Sequence, residues 1–205
     1  MDETILRIAR DAKGFLDEEE GRRLHDLARD HAPLGPVVEI GSYCGKSSLY
    51  VGAGVKAAGG LLVCVDHHRG SEEHQPGEGY HDPDLLDAEV GKVDSLPQLR
   101  RNLHDAGLED CTVIAVAGSE AASRLVSTPL GMAFIDGGHS MEAAQKDLRC
   151  WAGKVARGGI LAIHDLFPNP AEGGQAPITI YRQAAASGLF EELATTKTLG
   201  VLRRL

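Results

Sequence analysis

Aromatic side chains are scarce, at 4% of 205 residues, so a core has to be assembled mainly from Val, Leu, Ile and Ala. Positive charge is also in deficit: 21 Lys and Arg face 30 Asp and Glu, for a net charge of −9. That balance argues against nucleic acid or an anionic membrane as a partner, because phosphate contacts are made by Lys and Arg. The four cysteines, Cys44, Cys64, Cys111 and Cys150, form no Cys-x-x-Cys pair. A structural zinc site and a disulfide framework are thereby disfavoured, and reduced thiols are expected. The N-terminus lacks a basic stretch followed by an apolar one, and no apolar run reaches membrane-spanning length, so a cytoplasmic location is expected. The length fits one domain, 1–205, large enough for a core without staples.

What is present is organised around the stretch from Pro36 to Ser48. Val37, Val38, Glu39 and Ile40 read as a buried strand ending near an acid; Gly41 and Gly45 flank a tight turn, and Lys46, Ser47 and Ser48 open a helix. The glycines let the backbone turn sharply and approach a ligand, and Glu39 offers a carboxylate to a cationic or hydroxyl-bearing group. A phosphate-cradling Gly-x-x-x-x-Gly-Lys-Ser loop fails by one residue, because its first glycine would fall on Ile40. The dinucleotide pattern Gly-x-Gly-x-x-Gly fails at Tyr43. What remains, Glu-x-Gly-x-x-x-Gly, resembles the first motif of class I S-adenosylmethionine-dependent methyltransferases, and is most similar to the metal-dependent O-methyltransferases of the catechol type. The resemblance implies an α/β fold: a Rossmann-like, doubly wound, seven-stranded sheet with helices on both faces and a C-terminal antiparallel hairpin.

Before this motif, residues 2–31 carry apolar positions at Ile5, Ile8, Phe15, Leu16, Leu24 and Leu27, which predicts one or two amphipathic helices. They either cap a cofactor site or make a homodimer contact. After it, the apolar run Leu61–Val65 reads as a parallel strand ending in Asp66. At that tip an acid is placed to bind both ribose hydroxyls of an adenosine cofactor; the bland alternative is a capping or solvated Asp. Residues 67–95 are rich in Gly, His, Asp, Glu and Pro, and read as a structureless, lid-like insertion on the ligand side of the sheet. His67, His68, Arg69, His74, Tyr80 and His81 are candidate acceptor contacts there, with surface decoration as the alternative for each.

Three further stretches supply polar groups at strand ends. Gly118 and Ser119 follow the third strand, where the family contacts adenine; Ser119 alternatively caps a helix. Met132–Ile135 leads into Asp136, Gly137, Gly138 and His139, with Ser140 placed to cap a helix carrying Ala144, Leu148 and Trp151 on one face. Ile160–Ile163 leads into His164 and Asp165. Asp-x-x-His stands where catechol-type enzymes carry Asp-x-x-Lys, and related sugar O-methyltransferases are similar in carrying histidine there, which implies His139 as the base. Asp136, His164 and Asp165 are the expected ligands of a divalent ion, Mg2+ or Mn2+, although His164 departs from the family's Asp-Asn or Glu-Asp pair. The cofactor set implied is Glu39, Gly41, Ser42, Tyr43, Gly45, Ser47, Asp66, His67, Gly118, Ser119 and Asp136, around S-adenosylmethionine. The polar insertion favours a hydroxyl-rich acceptor, a sugar such as a mannoside; a phenol is the second candidate, and a non-catalytic S-adenosylmethionine-binding module the rival of another class.

Overall fold

A computed structural model describes residues 1–71, 74, 75, 77, 79 and 81–205; Tyr80 therefore lies outside the described residues. Two helices come first, α1 (Glu3–Asp11) and α2 (Glu18–His31), followed by β1 (Val37–Ile40), α3 (Lys46–Ala57) and β2 (Leu62–Asp66). A small antiparallel pair, β3 (Leu86–Asp87) and β4 (Lys92–Val93), precedes α4 (Leu96–Asp105), β5 (Thr112–Val116) and α5 (Ser119–Leu125). The chain continues through β6 (Leu130–Ile135), α6 (Met141–Trp151), β7 (Val155–Ile163), α7 (Ala176–Ala186), β8 (Phe190–Glu192) and β9 (Gly200–Arg204). Among the described residues no helix is long and apolar enough to cross a membrane.

Seven strands form one sheet in the order β5-β2-β1-β6-β7-β9-β8. The first five are parallel, and β9 runs antiparallel between β7 and β8, so the expected seven-stranded architecture with its closing hairpin is what the chain adopts. Alternation along each strand splits the core. Val37, Cys64, Met132 and Phe134 face α1 to α4, whereas Val38, Ile40, Ala133 and Ile135 face α5 to α7. Strand order reverses between β1 and β6, and that reversal opens a crevice at the C-terminal strand ends.

Register decides what meets at the crevice. Ile40 pairs with Val65 and with Ile135, and Ile135 pairs with Ile163. The ladder runs one step further, through Gly41 N–H to Val65 O, Asp136 N–H to Ile40 O and His164 N–H to Ile135 O. Gly41, Asp136 and His164 thus leave the sheet side by side.

The insertion is less irregular than its composition suggests. Besides the β3–β4 pair, Leu85 and Val93 bury themselves against Cys44 and Tyr43 of the turn after β1. Lys13 Nζ, between α1 and α2, donates to Asp82 Oδ2 at 2.6 Å and to Asp84 Oδ2 at 2.9 Å. Leu85 and Val93, meeting Cys44 from across the fold, and the Lys13 ion pairs tie this stretch to the rest of the chain. Phe15, expected in a helix core, is instead 66% exposed. All four cysteines are free.

Candidate active site

The strand ends enclose a cavity of about 430 Å³, a size typical of small-ligand sites. Its floor is the turn after β1. Gly41 has φ +89° and Gly45 φ +91°, a left-handed backbone that side chains rarely adopt. A Cβ on Gly41 would lie 2.1 Å from Asp136 O, and one on Gly45 would lie 2.6 Å from Leu99 Cδ1. Packing against the β6 turn and α4 therefore demands glycine at both positions, and Gly41 also lines the cavity. Lys46, the false echo of a phosphate loop, points backwards, donating to Arg10 O at 3.2 Å and Ala12 O at 2.9 Å.

Glu39 was expected at the ligand. It lies beneath the turn instead, fully buried and absent from the cavity wall. The two-residue alternation of β1 explains this: Glu39 shares the face of Val37, so its side chain enters the layer between sheet and α3. There Oε2 accepts from Ser48 Oγ and from Cys64 Sγ at 3.5 Å. Burial pushes its acid up to about 7, with the Ser47 and Ser48 hydroxyls opposing and the Asp136 charge adding. Gly45 is likewise off the wall, while Gly41, Ser42, Tyr43 and Ser47 line it. Ser42 Oγ, on that wall, is buried without a hydrogen-bond partner among the described residues.

Asp66 does reach the cavity. Its Oδ2 accepts from Tyr43 N–H at 2.8 Å and its Oδ1 from His68 N–H at 2.7 Å. Two backbone donors fix the carboxylate, leaving each oxygen lone-pair capacity for a diol. Gly118, Ser119 and Asp136 also line the cavity, as do His67 and His74 of the insertion. His68, Arg69 and His81 do not; His68 turns inward, its Nδ1 2.8 Å from Ser95 Oγ. At the wall, Phe15, Tyr43 and His74 form an aromatic group, with Tyr43 and His74 centroids 5.0 Å apart and Phe15 6.4 Å from each.

The tips of β6 and β7 hold the charged cluster. His139 Nε2 lies 3.1 Å from Asp165 Oδ2. Asp165 has φ +58°, unusual for a residue with a side chain, a strain carried where two strand ends converge. Burial alone would raise its acid, but the His139 hydrogen bond and the His164 charge hold it below the ordinary range. Asp136, His139 and Asp165 each offer a ligand atom, all within 4.8 Å of one another. Two carboxylates and an imidazole suit a hard divalent ion.

His164 departs from the metal role expected of it. Nδ1 donates to Asp136 Oδ1 at 3.1 Å, and Nε2 to Glu20 Oε2 at 3.0 Å. With both ring nitrogens engaged, it is a buried cation between carboxylates: burial opposes the charge, yet Asp136, Glu20 and Asp165 push its pKa up to about 11. Among the described residues it is His139, with Asp136 and Asp165, that completes a group able to hold an ion. The cause is Glu20, whose other oxygen accepts from Thr198 N–H and Oγ1, both at 2.8 Å. Sequence reading passed over Glu20, because Asp-x-x-Glu at residues 17–20 is also a capping box, and Glu20 does cap α2. Asp147, on the cavity wall and 6% exposed, was missed as well. A signal existed: three residues after Ala144 and four before Trp151, it is an acid within the apolar stripe of α6.

A family model described as a methyltransferase domain matches residues 38–166, which contain the β1 turn and the β6 and β7 tips. The O-methyltransferase TomG of Streptomyces achromogenes, involved in tomaymycin synthesis and solved with S-adenosylmethionine, superposes with a TM-score of 0.65 at 16% identity, over 100% of this chain and 91% of TomG. The Podospora anserina methyltransferase PaMTH1, solved with S-adenosylhomocysteine, gives 0.68 at 14% identity, over 100% of this chain and 89% of its own. An O-methyltransferase of Bacillus cereus, also holding S-adenosylhomocysteine, gives 0.65 at 14% identity, over 100% and 92%. At these identities the likeness is one of fold.

Proposed function

Since the chain belongs to the methyltransferase domain family, we propose that it transfers the methyl group of S-adenosylmethionine to a hydroxyl oxygen of a small acceptor, with a sugar as the preferred class. The observation that carries this is the convergence on one cavity of Asp66, fixed by two backbone donors, with Asp136, His139 and Asp165. The residues fit the methyl donor: Asp66 can accept from a ribose diol, and buried Ser42 Oγ has unmet hydrogen-bonding capacity on the same wall. They also fit a divalent ion, which Asp136 and Asp165 would hold beside His139, and which when bound would lower the pKa of an acceptor hydroxyl.

The protein's own contribution is chiefly positioning, since donor and acceptor must be aligned for in-line displacement at carbon. Asp165 orients the His139 ring through Nε2. His139 takes the hydroxyl proton as the oxygen attacks the methyl carbon, the carbon–sulfur bond breaks, and a methyl ether and S-adenosylhomocysteine result. General-base help of this kind is worth roughly 10²–10⁴ in rate. Loss of turnover in EDTA tests the ion, and loss of turnover in His139→Ala with the ion still bound tests His139 as the base.

A sugar is preferred because its hydroxyls meet the polar side chains of the insertion while its C–H face can pack on rings. The Phe15, Tyr43 and His74 group favours a second reading, a phenolic acceptor, since aromatic pairs attract beyond their buried area. Calorimetry with S-adenosylhomocysteine, with and without Mn2+ and EDTA, followed by methyl transfer to sugar and phenol panels, tests the assignment. His139→Ala is expected to keep cofactor affinity and lose turnover by at least ~10²-fold, whereas Asp66→Ala weakens cofactor binding first. Normal turnover by both variants would refute it.

A further inference from the structure

Glu20 is buried far more completely than a helix cap requires. It is 2% exposed, and its two oxygens accept from donors of three separate segments. Oε1 takes Thr198 N–H and Oγ1, both at 2.8 Å, from the connection between β8 and β9. Oε2 takes Asp17 N–H at 3.3 Å and His164 Nε2 at 3.0 Å. A capping box needs one oxygen and no charge, since Gln serves there as Glu does. The donors of Thr198 likewise need one oxygen. Gln at this position could accept on one side only, and its amide nitrogen would confront donors on the other. It is His164 that calls for a carboxylate.

The buried His164 ring is held from both ends. Its Nε2 is taken by Glu20, and its Nδ1 lies 3.1 Å from Asp136 Oδ1 and 3.4 Å from Asp165 Oδ1. Phe134 packs edge-to-face with the imidazole, ring centroids 6.4 Å apart. A ring gripped at Nε2 cannot turn without losing that partner, so the direction of Nδ1 follows from Glu20. We propose that Glu20 is a positioning residue of the ion site: through His164 it fixes the Asp136 carboxylate beside Asp165 in the arrangement that a divalent ion needs. This rests on the ion reading above. Glu20 stands before residues 38–166, so the support reaches the site from outside the segment that the family model matches. Three carboxylates, Glu20, Asp136 and Asp165, surround one imidazolium, and the cluster keeps negative charge for a hard cation to neutralise.

Mn2+ binding to the cofactor-free chain, followed by loss of the free ion's paramagnetic resonance signal, tests this without an acceptor. Glu20→Gln is expected to bind Mn2+ about 10- to 100-fold more weakly than wild type, the usual cost of removing a partner that orients a ligand. Asp17→Asn removes a charge at the start of the same helix and keeps a side chain able to cap it, so it is expected to bind as wild type does. Melting curves show which variants are folded. Should Glu20→Gln not fold, His164→Gln takes its place: it leaves Glu20 the donors of Asp17 and Thr198, and the same loss is expected. Unchanged Mn2+ affinity in the folded variant overturns the inference and leaves the ion reading standing. An equal loss in Asp17→Asn also overturns it, because charge alone would then account for the effect. A wild-type chain that binds no Mn2+ overturns the ion reading and this inference together.

Discussion

Glu39→Gln offers a quantitative test of the site's foundation. Glu39 is fully buried, and its acid stands at about 7 against an ordinary 4.5. The folded state therefore holds the proton more tightly than the unfolded chain. Stability from this group is present in full below about pH 4.5 and is lost as pH rises through about 7. At about 1.4 kcal/mol per pH unit, the gap is worth about 3 kcal/mol. For a chain of this length, about 2–4 °C per kcal/mol makes that a difference of about 6–12 °C in melting temperature. Gln keeps the shape and retains an oxygen for Ser48, yet does not ionise. Thermal melts of both proteins from about pH 4 to pH 8 should show the wild type losing ground to the variant steadily, most of it above pH 5. Comparison between the two cancels the titration of every other group. Parallel curves, with a constant offset at all pH values, would refute the claim that Glu39 is buried away from solvent in the ligand-free protein.

Two further outcomes test the scaffold. Gly41→Ala would bring a Cβ to 2.1 Å from Asp136 O at a φ of +89°, and urea unfolding should show a loss of about 2 kcal/mol or more. Ser119→Ala would leave the buried Trp151 indole N–H without its acceptor, costing about 1–3 kcal/mol by the same measurement in ligand-free protein.

Much of the fold was legible in the chain because local chemistry and topology agreed. The apolar runs ending in Asp66 and Asp136, the glycine turn at Gly41 and Gly45, and the helix cap at Ser140 each appear where their patterns placed them. The insertion was less legible, because its order depends on Leu85 and Val93 finding Cys44 across the fold.

Sequence by itself determined which residues stand at the strand ends, since an apolar run stops where its polar residue begins: Asp66, Asp136, His164 and Asp165 were all readable in that way. Only the tertiary structure decided where those side chains point and what they meet. Strand alternation sent Glu39 under α3 instead of into the cavity, α2 carried Glu20 across to hold His164 as a buried cation, and α6 brought Asp147 against the turn at Gly137. Position along a strand is fixed by neighbours in the chain; the partner of a side chain is fixed by elements that arrive from elsewhere in it.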